Sequence, residues 1–436
     1  MIVLIYPKDP NNTKNSSSFM QASLDMPPLG LLYLGTVIKK SGEPVKVFDF
    51  NSLENQDMED EMIQKIVQLK PQIIGFSVAT TSYPYTCELA KKMKKILNET
   101  LFIWGGHHVS FQSEEPLKRG IADIVIRGEG EEVILKIIRI LKDYGDNYKQ
   151  HLKDVEGISY IYQNQIHYNK PDYLVVKDLE NVPIPDRTLL DLSKYKNAST
   201  ILASRGCIGK CKFCASACMG LPREREISSI IYEMDMLVKR YGYRHINFVD
   251  NVFAYNKKRT KELLEAICKK QLPVTFSAEV NINFMDEEIV ELFKKAGLKF
   301  VQFGIESGNN KILKSINKTI SIERSHSIVK RCLEEGIHVV CSMLIGLPED
   351  TEETIAETVA MAKQFKKEGA QIVLSCMVPY PGSEVFEKAD ELGIKIENWD
   401  YAQWNMTNRS VISTKYLSRR KIDKLYNQAL SELNAI

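Results

Sequence analysis

The chain has 436 residues, a net charge of +2 and 26% charged residues. With no basic block among them, a nucleic-acid-binding surface is not expected. A hydrophobic share of 44% is ordinary for a globular protein, and the length suggests about two to three domains. No apolar run reaches the roughly 18 residues of a membrane helix. Met1–Tyr6 lacks the basic start and cleavage site of a signal peptide and reads as a first buried strand.

Residues 1–145 alternate short apolar runs with helical patterns. Strands are expected at Ile2–Tyr6, Val45–Phe50, Gln72–Ser77, Leu101–Trp104 and Ile124–Arg127. Helices are expected at Leu29–Ser41, Met58–Leu69, Tyr85–Leu97 and Glu131–Tyr144. Such alternation predicts a parallel sheet covered on both faces. Ligands of such sheets sit outside the carboxyl ends of the strands. Those ends carry Pro7–Met26, Asn51, Val78–Tyr85, Gly105–Ser110 and Gly128–Glu131. Gly105 and Gly106 would let the backbone approach a bulky ligand closely; a plain tight turn is the alternative. His107 and His108 follow, either as ligand contacts or as hydrogen-bonding loop residues. Ser77, Thr80, Thr81 and Tyr83, at a strand end, are small polar or aromatic residues suited to lining a flat ligand.

Residues 146–195 read as a connector. Ile158–Tyr162 and Gln165–Tyr168 form a hairpin around Gln163 and Asn164. A proline-rich stretch, 181–187, is extended and bridges two domains. From Thr200 the strand–helix alternation resumes. Strands are expected at Thr200–Ser204, His245–Asp250, Val274–Glu279, Phe300–Ile305, His338–Ile345 and Ile372–Met377. Helical spacing lies between them, as in Ile227, Ile230, Ile231 and Met234. Six such units, over residues 196–392, predict a partial barrel with its site at the strand ends. Residues 393–436 form a C-terminal extension. Trp399, Tyr401 and Trp404 cluster there before a helix at Ser418–Leu433.

Just after the first barrel strand come Cys207, Cys211 and Cys214, spaced C-x3-C-x2-C. Three thiolates on one loop can hold three irons of a four-iron cluster that ordinarily takes four cysteines. One iron then stays open to another ligand. A zinc site with Cys218 as fourth ligand is the alternative; a ferredoxin-type run would need a fourth cysteine near a proline. Nine cysteines are present in all. Cys87, Cys268, Cys332, Cys341 and Cys376 stand singly in apolar segments and read as small buried residues. Free thiols and an oxygen-sensitive cluster point to the reducing cytoplasm. Later strand ends offer Asp250, Asn251, Glu279, Glu306 and Gly346, carboxylates and backbone acceptors for a cationic ligand.

The cysteine spacing, with Phe213 directly before the third cysteine, resembles the signature of the radical S-adenosylmethionine (SAM) superfamily. The first half resembles the cobalamin-binding domain, whose signature is D-x-H-x-x-G, then about 41 residues, S-x-L and a Gly-Gly pair. Ser77-Val78-Ala79 and Gly105-Gly106 stand at matching intervals, and Gly30–Gly35 takes the place of the first motif. Gly30 then replaces the aspartate and Leu32 the cobalt-ligating histidine, a departure common in radical SAM proteins with this domain. The fold implied is α/β: a Rossmann-like cobalamin-binding domain, a partial (β/α)6 TIM-like radical SAM barrel and a short C-terminal extension. The cofactors implied are a 4Fe-4S cluster, SAM and cobalamin.

By the same resemblance, Phe213 packs near the SAM adenine and Glu306 and Glu279 contact SAM. Gly346 lets the backbone approach the adenosine, and Asp250 faces SAM or substrate. Gly128–Glu131 resembles the family's closing loop, with helix N-terminal chemistry as the alternative. Asn281 stands where relatives often carry arginine. The implied activity is methylation of an unactivated carbon, through a 5′-deoxyadenosyl radical and methylcobalamin. Radical cyclisation, rearrangement or carbon–carbon coupling is the alternative, and a non-catalytic sensor a third reading. Methylthio transfer would need a second cysteine triad, whereas the first half has only Cys87. A small-molecule or peptide substrate and an electron donor such as flavodoxin or ferredoxin are the expected partners.

Overall fold

The computed structural model describes residues 1–11, 25–53, 55–407 and 409–436. Within the expected loop Pro7–Met26, residues 12–24 lie outside the described residues. The chain divides into two compact units, Met1–Ala198 with Asp400–Ala402, and Ser199–Trp399 with Gln403–Ile436.

The first unit is built on a seven-stranded sheet in the order β2-β1-β3-β4-β5-β6-β7. Strands β1 (Ile2–Tyr6), β2 (Val45–Asp49), β3 (Ile73–Ser77), β4 (Leu101–Gly105) and β5 (Ile124–Ile126) run parallel. Successive side chains of a strand point to opposite faces. In β1, Val3 and Ile5 enter one core with Phe76, Phe102 and Trp104, while Ile2 and Leu4 enter the other with Ile103 and Ile126. Both faces are therefore covered, which is why these strands read as unbroken apolar runs. The order 2-1-3-4-5 places the switch point between β1 and β3, where such sheets bind ligands.

The expected hairpin is present as β6 (Ile158–Tyr162) and β7 (Gln165–Tyr168), and it extends the sheet antiparallel beyond β5. Its turn residues Gln163 and Asn164 take positive φ of 50° and 61°. The helix expected at Leu29–Ser41 is present as Leu29–Lys40; it contains the Gly30–Gly35 stretch, and Leu32 is fully buried. One expectation shifts. The helix expected from Tyr85 begins at Tyr83, because Pro84 suits a first helical turn.

The second unit has a six-stranded parallel sheet in the order β15-β14-β13-β12-β11-β8. Its strands are β8 (Thr200–Ile201), β11 (His245–Phe248), β12 (Thr275–Glu279), β13 (Leu298–Glu306), β14 (His338–Ile345) and β15 (Gln371–Cys376). Each pairs with its neighbour in chain order, with a helix between, as in a partial TIM-like barrel. The strand expected at Thr200–Ser204 is split. Its end forms β9 (Ser204–Arg205), paired antiparallel with β10 (Arg223–Glu224). The C-terminal helix Arg419–Asn434 is capped by Ser418, whose side chain accepts from Lys421 N.

Candidate cluster and cofactor sites

The cysteine loop of the second unit is held from outside itself. Gly206 has φ +96°, and a Cβ there would lie 2.6 Å from Leu221 O, so only glycine fits. Cys207 N donates to Gly220 O at 3.1 Å. Lys212 N donates to Ile316 O, and Lys212 O accepts from Val385 N, each at 3.0 Å. Gly209 N donates to Cys207 Sγ at 3.3 Å. A Cβ on Gly209 would lie 3.4 Å from Cys207 Sγ and 3.6 Å from Cys211 Sγ, so these sulfurs converge around a position left open by glycine.

Cys207, Cys211, Cys214 and Cys218 are free thiols. Burial raises the pKa of Cys207, and that of Cys211 to about 11, against the pull of Lys318. Iron binding must therefore displace protons from them. Among the described residues no three Cys, His, Asp or Glu side chains form a group that could hold a single metal ion. A four-iron cluster asks each thiolate for a different iron, so the sulfurs need not meet at one point. Cys218, the fourth ligand a zinc site would require, donates instead to Gly382 O at 2.9 Å. The donor set fits a three-cysteine cluster.

Acids and one cation stand at the neighbouring strand ends. Glu306, last in β13, has φ +71°, and the pairing with β14 shifts register between Gly304 and Glu306. Strained backbone of this kind persists where the surroundings over-determine it. Glu306 Oε1 accepts from Lys318 Nζ at 2.9 Å, with the side chains 9% and 14% exposed. A Cβ on Gly304 would lie 2.9 Å from that Nζ, so the pair occupies the space glycine leaves. Glu279, at the end of β12, is exposed, yet desolvation by the surrounding protein pushes its pKa up to about 7. Lys318 opposes that rise and Glu306 adds to it. Lys318 thus answers Glu306, Cys211 and Glu279 together, which raises its own pKa against burial. No motif marks Lys318 in the sequence. Its placement comes from the turn at Asn317, φ +57°, just after the Ile316 carbonyl that clamps the cysteine loop.

Two expected SAM contacts are engaged elsewhere. Asp250 is buried, and its oxygens accept from Ala203 N, Ser204 N and Ser204 Oγ. Burial raises its pKa to about 6 despite these bonds. Gly346 has φ +83°, and a Cβ there would meet Ile422 Cγ2 at 3.1 Å, so a side chain of the C-terminal helix fills its open face. Its N–H, with that of Leu347, donates to Asp350 Oδ2 at 3.0 Å. Phe213 is half-buried on the loop. Asn281 accepts from Asn283 N at 3.0 Å and caps its own turn.

At the switch point of the first unit the expected residues divide. Ser77 ends β3 opposite Gly105 and is half-buried. Gly105 has open space, since a Cβ would meet only Ile126 O at 3.9 Å. Gly106, φ +100°, serves the close approach of its own chain: a Cβ would lie 2.5 Å from Val78 N. His107 is exposed. Thr81 Oγ1 donates to Asp9 Oδ2 at 2.5 Å, and Asp9 N to Asn51 Oδ1 at 2.6 Å, linking three strand ends.

Thr80 and Tyr83 are buried against neighbours of their own unit. Thr80 Oγ1 lies 3.3 Å from Nδ1 of buried His108, and the Tyr83 ring centres 4.3 Å from the His108 ring. Burial lowers the His108 pKa to about 3 and keeps it neutral. Tyr401 joins this group at 4.7 Å from His108, while Trp399 and Trp404 pack with Phe386 in the second unit. The expected Trp–Tyr–Trp cluster is thus split. In the Gly128–Glu131 loop, Gly128 N donates to Ser110 Oγ at 3.0 Å, and Glu129 Oε2 accepts from Val176 N at 2.6 Å. The half-buried or exposed surface at this end of the sheet includes Ser77, Ala79, Thr81, Gly105, Gly106 and His107, all small apart from the histidine. That surface fits cobalamin without a histidine at Leu32.

The fold and the two sites define a radical SAM barrel joined to a cobalamin-type Rossmann domain. The profile of the radical SAM superfamily matches residues 201–362, and that of the B12 binding domain residues 20–138. An uncharacterized methyltransferase of Pyrococcus horikoshii is 31% identical over 413 residues, covering 92% of this chain and 86% of that protein. An anaerobic magnesium-protoporphyrin IX monomethyl ester cyclase of Rubrivivax gelatinosus is 28% identical over 390 residues, 87% of this chain and 68% of that one. Among solved structures, the radical SAM methyltransferase TsrM of Kitasatospora setae, bound to tryptophan and a SAM analogue, superposes with a TM-score of 0.75. Its identity is 17%, with coverage of 100% of this chain and 88% of that one, a likeness of fold. The chain belongs to the cobalamin-dependent radical SAM family, and it is an enzyme.

Proposed function

We propose that the protein methylates an unactivated carbon of a small-molecule or peptide substrate. The observation that carries this reading is the three-cysteine loop beside Lys318, Glu306 and Glu279 in a chain that also has a B12 binding domain. When bound, the cluster, SAM and cobalamin supply a 5′-deoxyadenosyl radical and a transferable methyl group. Cys207, Cys211 and Cys214 hold the cluster. Lys318 offers a cation to the carboxylate of SAM, and Glu306 and Glu279 offer acceptors to its amino group and hydroxyls. These charges already answer one another in a partly desolvated site, so they need little reorganisation when a zwitterion enters. Phe213 supplies an aromatic face from the loop itself. In the first unit Ser77, Thr81, Gly105 and His107 line the cobalamin edge. The electron donor expected for such a cluster is of the flavodoxin or ferredoxin type, and the free thiols suit the cytoplasm. Among the described residues no helix is long and apolar enough to cross a membrane.

The similarity to a cyclase over most of this chain favours one second reading, radical ring closure with the same cofactors. An anaerobic assay with methyl-deuterated SAM separates the two. Methylation predicts a product carrying the labelled methyl group, together with 5′-deoxyadenosine. 5′-Deoxyadenosine formed with an unlabelled product would replace methylation by cyclisation. No reductive SAM cleavage at all would leave a sensor.

A further inference from the structure

The root of the cysteine loop is gripped by buried charges that bond to its backbone. Leu202 and Ala203 join β8 to β9, and Ser204, the first residue of β9, lies three residues ahead of Cys207. Asp250 Oδ1 and Oδ2 accept from Ala203 N at 3.1 and 3.0 Å, and Oδ1 also accepts from Ser204 Oγ at 2.7 Å and from Ser204 N. From Arg225, Nη1 donates to Leu202 O at 2.8 Å, and the backbone N–H donates to Ala203 O at 3.0 Å. Arg225 is held in turn by Glu233 Oε2 at 2.6 Å and Ser229 Oγ at 3.0 Å. Asp250, Arg225 and Glu233 are 3%, 5% and 0% exposed.

Burying such charges seldom gains stability over apolar packing, because desolvation offsets the attraction. A fully satisfied network does impose one geometry. Here that geometry belongs to the chain entering Cys207. Little slack follows it, since the backbone at Gly206 runs too close to Leu221 O to admit a Cβ and Cys207 N is bonded to Gly220 O.

We propose that Asp250, backed by Arg225 and Glu233, is a positioning residue for the iron–sulfur cluster, setting the direction in which Leu202–Ser204 delivers Cys207. The inference rests on the reading that the triad holds that cluster. Outer partners of metal ligands tune affinity by about 10–100-fold, and hydrogen bonding and exposure set cluster properties. A root that swings should therefore alter the cluster before it unfolds the barrel.

The test compares wild type, Asp250→Asn, Asp250→Glu, Ser204→Ala and Asp350→Asn after anaerobic reconstitution. Asp350 is the control: it is equally buried and grips two backbone N–H groups at another strand end, with no tie to the cysteine loop. An amide at 250 would turn a donor toward N–H groups that need acceptors. Asp250→Asn should stay folded by circular dichroism and lose iron to a chelator on the order of tenfold faster than wild type. The electron paramagnetic resonance signal of its reduced cluster should be shifted. Asp250→Glu should recover part of both, and Asp350→Asn should match wild type in both. A folded Asp250→Asn with wild-type iron retention and spectrum overturns the proposal. If Asp250→Asn does not fold, Ser204→Ala decides, since it removes one bond to Asp250; an unchanged spectrum and chelation rate there overturn it equally. Wild-type protein that takes up no iron would strike the cluster reading itself.

Discussion

Lys318 is the residue on which the electrostatics of the barrel mouth turn. Its ammonium meets Glu306 at 2.9 Å, and Glu279 and Cys211 also act on it. Both members of the ion pair are largely buried, so removing one strands the other. Lys318→Met should lower the stability of the iron-free protein by about 3–5 kcal/mol, read from urea midpoints. Lys318→Met with Glu306→Gln should recover most of it, because no unpaired charge remains. A single variant as stable as wild type would mean that Glu306 finds another partner. Asp250 and Gly346 teach the converse at this scale. Each stands at a strand end, where sequence reasoning expects ligand contact, yet one binds backbone N–H groups and the other makes room for Ile422. A residue type and a strand-end position do not say which of two nearby partners a side chain takes.

Among the elements, the strands were the most legible, because buried parallel strands are apolar on both faces. Boundaries moved where a local rule competed. Pro84 drew a helix start back to Tyr83, and Asp250 and Arg225 broke one expected strand into β8 and β9. The Gly105-Gly106 turn shows the same competition within one motif. Gly105 leaves space, while Gly106 is required by β3: its φ is +100° and a Cβ would strike Val78. Gly106→Ala should therefore cost more than the roughly 1 kcal/mol typical of an ordinary Gly→Ala change at positive φ. It should also weaken cobalamin binding, followed by the visible absorbance of aquacobalamin added to the purified protein. Gly105→Ala, with no contact closer than 3.9 Å, should preserve the fold. Equal stability of the two variants would refute the division.

For the molecule as a whole, three buried or crowded acids of the barrel unit set a pH dependence. Burial raises Asp250 and Asp350 to about 6, and desolvation by the neighbouring protein together with the charge of Glu306 raises Glu279, whose side chain is still exposed, to about 7, from ordinary values near 4. The folded state then binds more protons than the unfolded one between these limits, so these groups make stability fall as pH rises from about 4 to 7. The neutral forms favour folding, and the effect is complete once pH passes the folded values. Urea midpoints of iron-free protein across this range should fall less steeply in Glu279→Gln than in wild type. Identical slopes would show that Glu279 is already relieved by Lys318.

The sequence alone carried the strand–helix alternation and the cysteine triad, because these rest on periodicity and on the spacing of reactive residues, while the resemblance to the cobalamin-binding domain put Leu32 where a cobalt-ligating histidine would stand. Leu32 is indeed buried in a helix. Tertiary structure alone decided which strand-end groups are engaged by buried neighbours. Thr80, Tyr83, Asp250 and Gly346 are taken up by buried neighbours, and Lys318 is brought to Glu306 across twelve residues. The physical reason is that a buried polar group must find a partner, and the partners come from segments that only the folded chain brings together.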